Sequence, residues 1–165
     1  MKTKLITMAA TLALGLSLAQ LTAGEPEWMT DLAKAQAKAK AEKKMMMLDF
    51  TGSDWCGWCI KLHKEVFSTP EFAKYAEKNL VLVEVDFPKS KKQDEKLKQA
   101  NNELKTKYKI SGFPTIIVLD GDGQKLGQLD YGSGVTPEEL KGDVKKLKAK
   151  PALFTAQLDK LKSKA

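Results

Sequence analysis

The chain of 165 residues contains no arginine, one histidine and two cysteines, and each shortage narrows what it can do. Arginine forks dominate specific reading of phosphates and bases. A net charge of +7 carried on lysine alone therefore argues against a nucleic-acid partner. The lysines are spread along helical stretches and interleaved with Asp and Glu, which is the pattern of a solvated surface. With no second cysteine pair, the chain is short of ligands for a four-ligand structural zinc site. A small secreted scaffold stapled by disulfides would carry more cysteines, spread along the sequence; a chain of this length builds its core without staples. Long apolar runs are missing too, except at the start.

There, Met1-Lys2-Thr3-Lys4 is basic, and the run from Leu5 to about Leu18 is apolar but short for a membrane span. Small residues follow at Ser17, Ala19, Thr22 and Ala23. This is the layout of a secretory signal peptide over residues 1–23, with cleavage after Ala19 or Ala23. A retained N-terminal anchor is the alternative; no cysteine near the end of the run suggests a lipid anchor. The expected product is a soluble periplasmic or secreted protein, with a domain over residues 24–150 and a tail over 151–165.

Residues 28–44 are Ala/Lys-rich and predict a helix with Trp28, Leu32 and Ala35 on one face. Residues 45–50 form a short apolar run, the mark of a strand buried on both faces. A turn with helix-capping residues follows at 51–54. A helix is expected over 56–67, with Ile60, Leu62, Val66 and Phe67 inward, and Thr69-Pro70-Glu71 starts another. Residues 80–86 are the next buried strand. Residues 90–107 read as an amphipathic helix with Leu97, Ala100, Leu104 and Tyr108 on one side. A third strand at 115–119 leads through a hairpin turn at 120–123 into a fourth at 124–131. Thr136-Pro137-Glu138-Glu139 caps a helix ending near Ala149. After Pro151, Leu153, Phe154, Leu158 and Leu161 make a weak amphipathic tail. Strands joined through helices imply parallel pairs, and the hairpin adds an antiparallel one. The expected class is α/β: a mixed central sheet flanked by helices, with an N-terminal helix and a short C-terminal helical tail. Cys56 then lies at the carboxyl end of a central strand, where ligand chemistry in open α/β sheets is usually found.

The two cysteines lie in Trp55-Cys56-Gly57-Trp58-Cys59. Cysteines separated by two residues at a helix start can close a small disulfide ring with little backbone movement. Cys56 falls where unpaired N–H groups and the helix dipole favour a thiolate, the attacking species. Cys59, one turn in and more buried, would resolve a mixed disulfide. A static disulfide and half a zinc site are the plain alternatives. His63 lies on the same helical face, seven and four residues beyond the cysteines. A metal-carrying module built on Cys56, Cys59 and His63 is therefore the rival reading. A lone histidine on a lysine-rich helix is more often simply solvated, and no metal is expected.

Asp49-Phe50, Trp55-Cys56-Gly57-Trp58-Cys59 and Gly112-Phe113-Pro114-Thr115 occur in that order, and over about residues 44–148 the chain resembles the thioredoxin superfamily. The stretches Val66-Phe67-Ser68-Thr69-Pro70-Glu71-Phe72 and Leu119-Asp120-Gly121-Asp122-Gly123-Gln124 narrow the likeness. They resemble exported thioredoxin-like domains such as the C-terminal periplasmic domain of the transmembrane disulfide reductase. The resemblance implies a thioredoxin fold and a cis-proline at Pro114 facing the cysteines across a substrate groove. Phe113 beside it would pair with an extended client by strand addition.

Asp49 matches the family's buried acid beneath the second cysteine, and a lone carboxylate inside an apolar strand has a raised pKa and can exchange protons. The alternative is a core Asp tied to backbone or lysine, and the loop to Cys56 is one residue longer than in ordinary thioredoxin. Gly57-Trp58 replaces the Gly-Pro of thioredoxin, and Trp55 and Trp58 put aromatic surface around the sulfurs, to bind clients or to shield. The expectation is a monomeric extracytoplasmic thiol–disulfide oxidoreductase, a reductase before an isomerase or oxidase. An isomerase needs a dimerisation domain, and an oxidase often carries a helical insertion, whereas residues 86–109 hold one helix. Expected partners are oxidised or misoxidised protein clients and an electron donor such as a membrane thiol transporter. No cofactor is expected beyond the redox-active Cys56–Cys59 disulfide.

Overall fold

All seven residues of β2, Met45–Thr51, are buried, and the rest of the molecule is arranged around them. The structure is a computed structural model and describes residues 25–129 and 144–164. The expected signal peptide, the last residues of the fourth strand and the cap at 136–139 lie outside the described residues. The sheet order is β1-β3-β2-β4-β5. β1 (Trp28–Met29) and β2 lie parallel to β3 (Leu80–Asp86), while β4 (Thr115–Leu119) pairs antiparallel with β2 and β5 (Lys125–Leu129) antiparallel with β4.

Side chains alternate across a strand, so β2 serves two cores. Met45 and Met47 join Leu80, Leu82, Ile116 and Val118 in one cluster. It is covered by α2 (Gly57–Leu62), a π-helical turn (His63–Phe67), α3 (Pro70–Asn79) and α5 (Val144–Lys162). Met46, Leu48 and Phe50 join Val81, Val83, Val85, Ile117 and Leu119 in the other, beneath Ala35 and Ala39 of α1 (Leu32–Glu42), with half-buried Leu104 of α4 (Glu95–Lys107) packed against it. Side-chain caps fix the helix starts: Asp31 accepts from the Lys34 N–H, Thr69 from Phe72, and Asp94 from Lys96 and Leu97.

Five expectations are corrected. Trp28 is not helical: Asp31 starts α1 later, and Trp28 pairs with Leu82 in the sheet while its ring meets Phe67 at 5.1 Å. Ile60 is 49% exposed, because a helix that turns Cys59 and Leu62 inward rotates Ile60 outward. α4 begins at Glu95, not Ser90, since the N–H groups of Lys89, Ser90 and Lys91 are taken by the Asp54 carboxylate. Along α4, Ala100 is exposed and Asn101 is buried, its amide donating to the Asp86 carbonyl at 2.8 Å.

The last correction concerns Pro151. The helix does not stop near Ala149; α5 runs through Pro151 to Lys162. Phe154, Leu158 and Leu161 belong to the same core as β2, with Phe154 5.7 Å from Phe67 and 6.0 Å from Phe72. Burying three such side chains, at about 1.5–3 kcal/mol each, outweighs about 3 kcal/mol for a proline inside a helix. Gly127 permits the close approach: a Cβ there would come within 2.6 Å of Leu161 Cδ2. Among the described residues no helix is long and apolar enough to cross a membrane.

Candidate active site

β2 and β3 are parallel and end together, Thr51 opposite Asp86, while antiparallel β4 begins there, Thr115 opposite Phe50. Topology therefore brings three loops to one end of the sheet: 52–56, 87–94 and 111–114. Gly52 turns the first, its carbonyl accepting from Trp55 and Cys56 N–H groups at 3.2 and 2.8 Å. A side chain there would collide with the Trp55 indole, 2.6 Å from a built Cβ. Ser53 donates its N–H and hydroxyl to the Asp86 carboxylate at 2.8 and 2.6 Å. Trp55 Nε1 donates to the Phe87 carbonyl at 2.8 Å. These contacts, with the Asp54 clamp, fix the loop that presents Cys56.

Cys56 is the N-cap of α2, with extended backbone, and is joined to Cys59 by a disulfide with Cα atoms 5.2 Å apart. Its sulfur accepts from the Cys59 N–H at 3.2 Å. A donor aimed at Cys56 Sγ favours the thiolate once the bond is reduced. Cys56 is 7% exposed and Cys59 4%, so both residues are buried, Cys56 slightly the less so.

Trp55 and Trp58 are exposed beside the sulfurs. The Trp55 ring meets Phe113 edge-on at 6.0 Å, and Phe113 stacks on Phe87 at 5.1 Å. That contact sets the Phe113–Pro114 loop beside the cysteine turn; the peptide bond between the two residues is cis. Phe87 is a wall residue that sequence reasoning missed. Its one signal was an aromatic followed by proline at the end of a buried strand.

Asp49 lies on the β2 face covered by α2, opposite Glu84 on β3 and Ile116 on β4. It is buried, and Oδ1 has no hydrogen-bond partner. Burial, reinforced by the charges of Glu84 and Asp86, pushes its pKa up to about 8. Glu84 is itself raised by burial and by Asp86, with His63 and Lys91 pulling the other way. This carboxylate ladder was also missed, because it depends on β2–β3 register.

His63 is exposed at the start of the π-helical turn, its Nδ1 3.1 Å from Ser68 Oγ and its ring edge-on to Phe67 at 6.2 Å. Regular helical spacing, which aligned it with the cysteines, ends at this residue. Among the described residues no three His, Cys, Asp or Glu side chains are placed to share a metal ion.

A disulfide closed across the first turn of a helix, at the carboxyl end of a central strand and among exposed aromatics, defines a centre for thiol–disulfide exchange. The chain belongs to the thioredoxin-like family: the model described as "Thioredoxin-like domain" matches residues 32–148. Disulfide bond reductase DsbH of Chlamydia pneumoniae is 39% identical over 114 residues, which is 69% of this chain and 68% of that protein. Thioredoxin-related protein DsbJ of the same organism is 37% identical over 129 residues, 74% of this chain and 37% of the relative. Thiol:disulfide interchange protein DsbD of Klebsiella pneumoniae is 36% identical over 93 residues, 56% of this chain and 14% of the relative. A solved DsbH oxidoreductase matches with a TM-score of 0.65 at 31% identity, covering 89% of this chain and 94% of that one. With its paired cysteines, this chain is a thiol–disulfide oxidoreductase.

Proposed function

We propose that the protein is an exported, monomeric disulfide reductase acting on protein clients. The observation that carries this reading is Cys56 as a helix N-cap with a donor on its sulfur, set between exposed Trp55 and Trp58. In the reduced form the Cys56 thiolate attacks a client disulfide; a new S–S bond forms, the client S–S bond breaks, and one client thiolate leaves and takes a proton. Cys59 then gives up its proton and attacks Cys56 Sγ, releasing the second client thiol and leaving the disulfide seen here. Two electrons pass from the protein dithiol to the client, and a dithiol donor returns them. No further cofactor takes part.

Asp49 is the proposed acceptor of the Cys59 proton, supported by its burial on the α2 face and a pKa of about 8. Trp55, Trp58 and Phe113 supply the client surface, and the backbone beside Pro114 receives an extended segment. Export is supported by the basic, apolar and small-residue pattern of residues 1–23. Likeness to a thiol:disulfide interchange protein supports a membrane thiol transporter as donor. The reductase activity for which the DsbH relative is named supports the reductive direction.

Equilibration with glutathione buffers tests the direction. A potential at or below about −200 mV is expected, whereas one near about −120 mV, the oxidase range, overturns it. Cys59→Ser should accumulate mixed disulfides with clients and Cys56→Ser should not; the reverse result exchanges their roles.

A further inference from the structure

The aromatic wall beside the cysteines carries a row of ammonium groups. Lys89 Nζ lies 3.9 Å from the Trp55 ring centroid, and Lys105 Nζ lies 5.5 Å from both the Phe87 and Phe113 rings. Across the disulfide, Lys61 Nζ sits 5.3 Å from the Trp58 ring. The acids nearby keep their negative charge but are half-buried and engaged, whereas Lys89 is exposed. Asp54 accepts three backbone N–H groups, Asp86 accepts both Ser53 donors, and Glu65 forms a 3.9 Å pair with Lys61. Among the described residues, Lys89 and Lys105 have no carboxylate partner. A ring beneath an ammonium holds it in place while leaving its outer hydrogens open to a second partner.

We infer that this rim selects client segments carrying Asp or Glu beside their cystine, the inference resting on the reductase reading above. An extended segment laid along the wall would put apolar side chains on Trp55 and Phe113, and its carboxylates against Lys89 and Lys105. The charge pattern is local. α3 ends at Asn79, where β3 begins at the opposite end of the sheet, so Lys78 contributes equal charge far from the sulfurs. Complementary charge at a binding mouth acts chiefly on association rate and is screened by salt.

The preference runs against simple thiol chemistry, and this makes it testable. Acidic neighbours repel an attacking thiolate, so a free dithiol such as dithiothreitol reduces an acidic disulfide more slowly than a basic one. Three cyclic peptides, identical except for Glu, Gln or Lys flanking the cystine, are mixed with reduced protein in stopped flow. At low salt the Glu peptide should be reduced at least about tenfold faster than the Lys peptide, with the ratio collapsing toward unity in 1 M salt. The double variant Lys89→Gln, Lys105→Gln should lower that ratio about fivefold or more, and Lys78→Gln should preserve it. Equal rates, a ratio retained by the double variant, or a ratio lost equally in Lys78→Gln overturns the inference. Reduction of the Gln peptide without an acidic preference defeats the inference and leaves the reductase reading standing. Failure to reduce any of the three defeats both.

Discussion

Along β2, Met46, Leu48 and Phe50 enter a mostly apolar layer, into which Tyr108 brings a buried hydroxyl, while Met45, Met47, Asp49 and Thr51 face the cysteine helix and turn polar as the strand nears Cys56. On that second face Asp49 stands opposite Glu84, and Thr51 opposite Asp86. One seven-residue strand thus carries two kinds of interior. The first face mainly excludes water, and Phe87 and Phe113 of the aromatic wall pack against it. The second tolerates a carboxyl with an unpartnered oxygen, an arrangement that destabilises the fold and persists where proton exchange is useful. The same end of the sheet gathers the aromatic wall and its lysines.

Substitutions on the two faces should therefore separate stability from chemistry. The largest effect belongs to Phe50→Ala, which removes a fully buried ring from the apolar layer. Its cost should be about 3–5 kcal/mol by denaturant unfolding, with exchange rate per folded molecule unchanged. A parallel fall in rate would show that the faces are not independent.

Asp49→Asn comes next. The Asp49 pKa is raised above the unfolded value, so its contribution to stability is complete below about pH 4 and is lost as pH rises toward about 8. The oxidised parent should weaken across that window, and the variant should weaken much less, with the raised Glu84 still titrating. Above it the variant should be the more stable by at least about 2 kcal/mol, since each pKa unit corresponds to about 1.4 kcal/mol. The variant should also slow the second, Cys59-dependent step at neutral pH. A stability curve of unchanged shape would mean that Asp49 ionises freely despite its burial.

Glu84→Gln removes a like charge facing Asp49. It should lower the Asp49 titration by about half to one unit, read from the carboxyl carbon by NMR. Smallest is Gly127→Ala, where the new methyl meets only the mobile end of Leu161. About 1 kcal/mol should be lost, and a larger loss would mean that α5 closes the second face more rigidly than its contacts imply.

Much of this was legible in the chain itself. The run 45–50 had to be a doubly buried strand because it is apolar without alternation, and Cys56-Gly57-Trp58-Cys59 is chemistry written within one helical turn. Thr69-Pro70 and the 120–123 turn act through neighbouring backbone, so local residues suffice to place them. Ile60 and Pro151 misled for one reason: local rules describe a helix, not the surface against which it is turned. The stretch 90–94 looked helical from its composition, yet Asp54, 36 and 37 residues away in sequence, takes the N–H groups of Ser90 and Lys91, and that of Lys89 just before them.

The sequence by itself determined the reactive pair, the buried central strand and the order of elements, since each follows from side chains within a few residues of one another. Tertiary structure alone decided that Glu84 faces Asp49, that Phe87 completes the wall with Trp55 and Phe113, and that Lys89 and Lys105 stand over those rings. These contacts join residues on separate strands and loops, and their partners are set by register and sheet order.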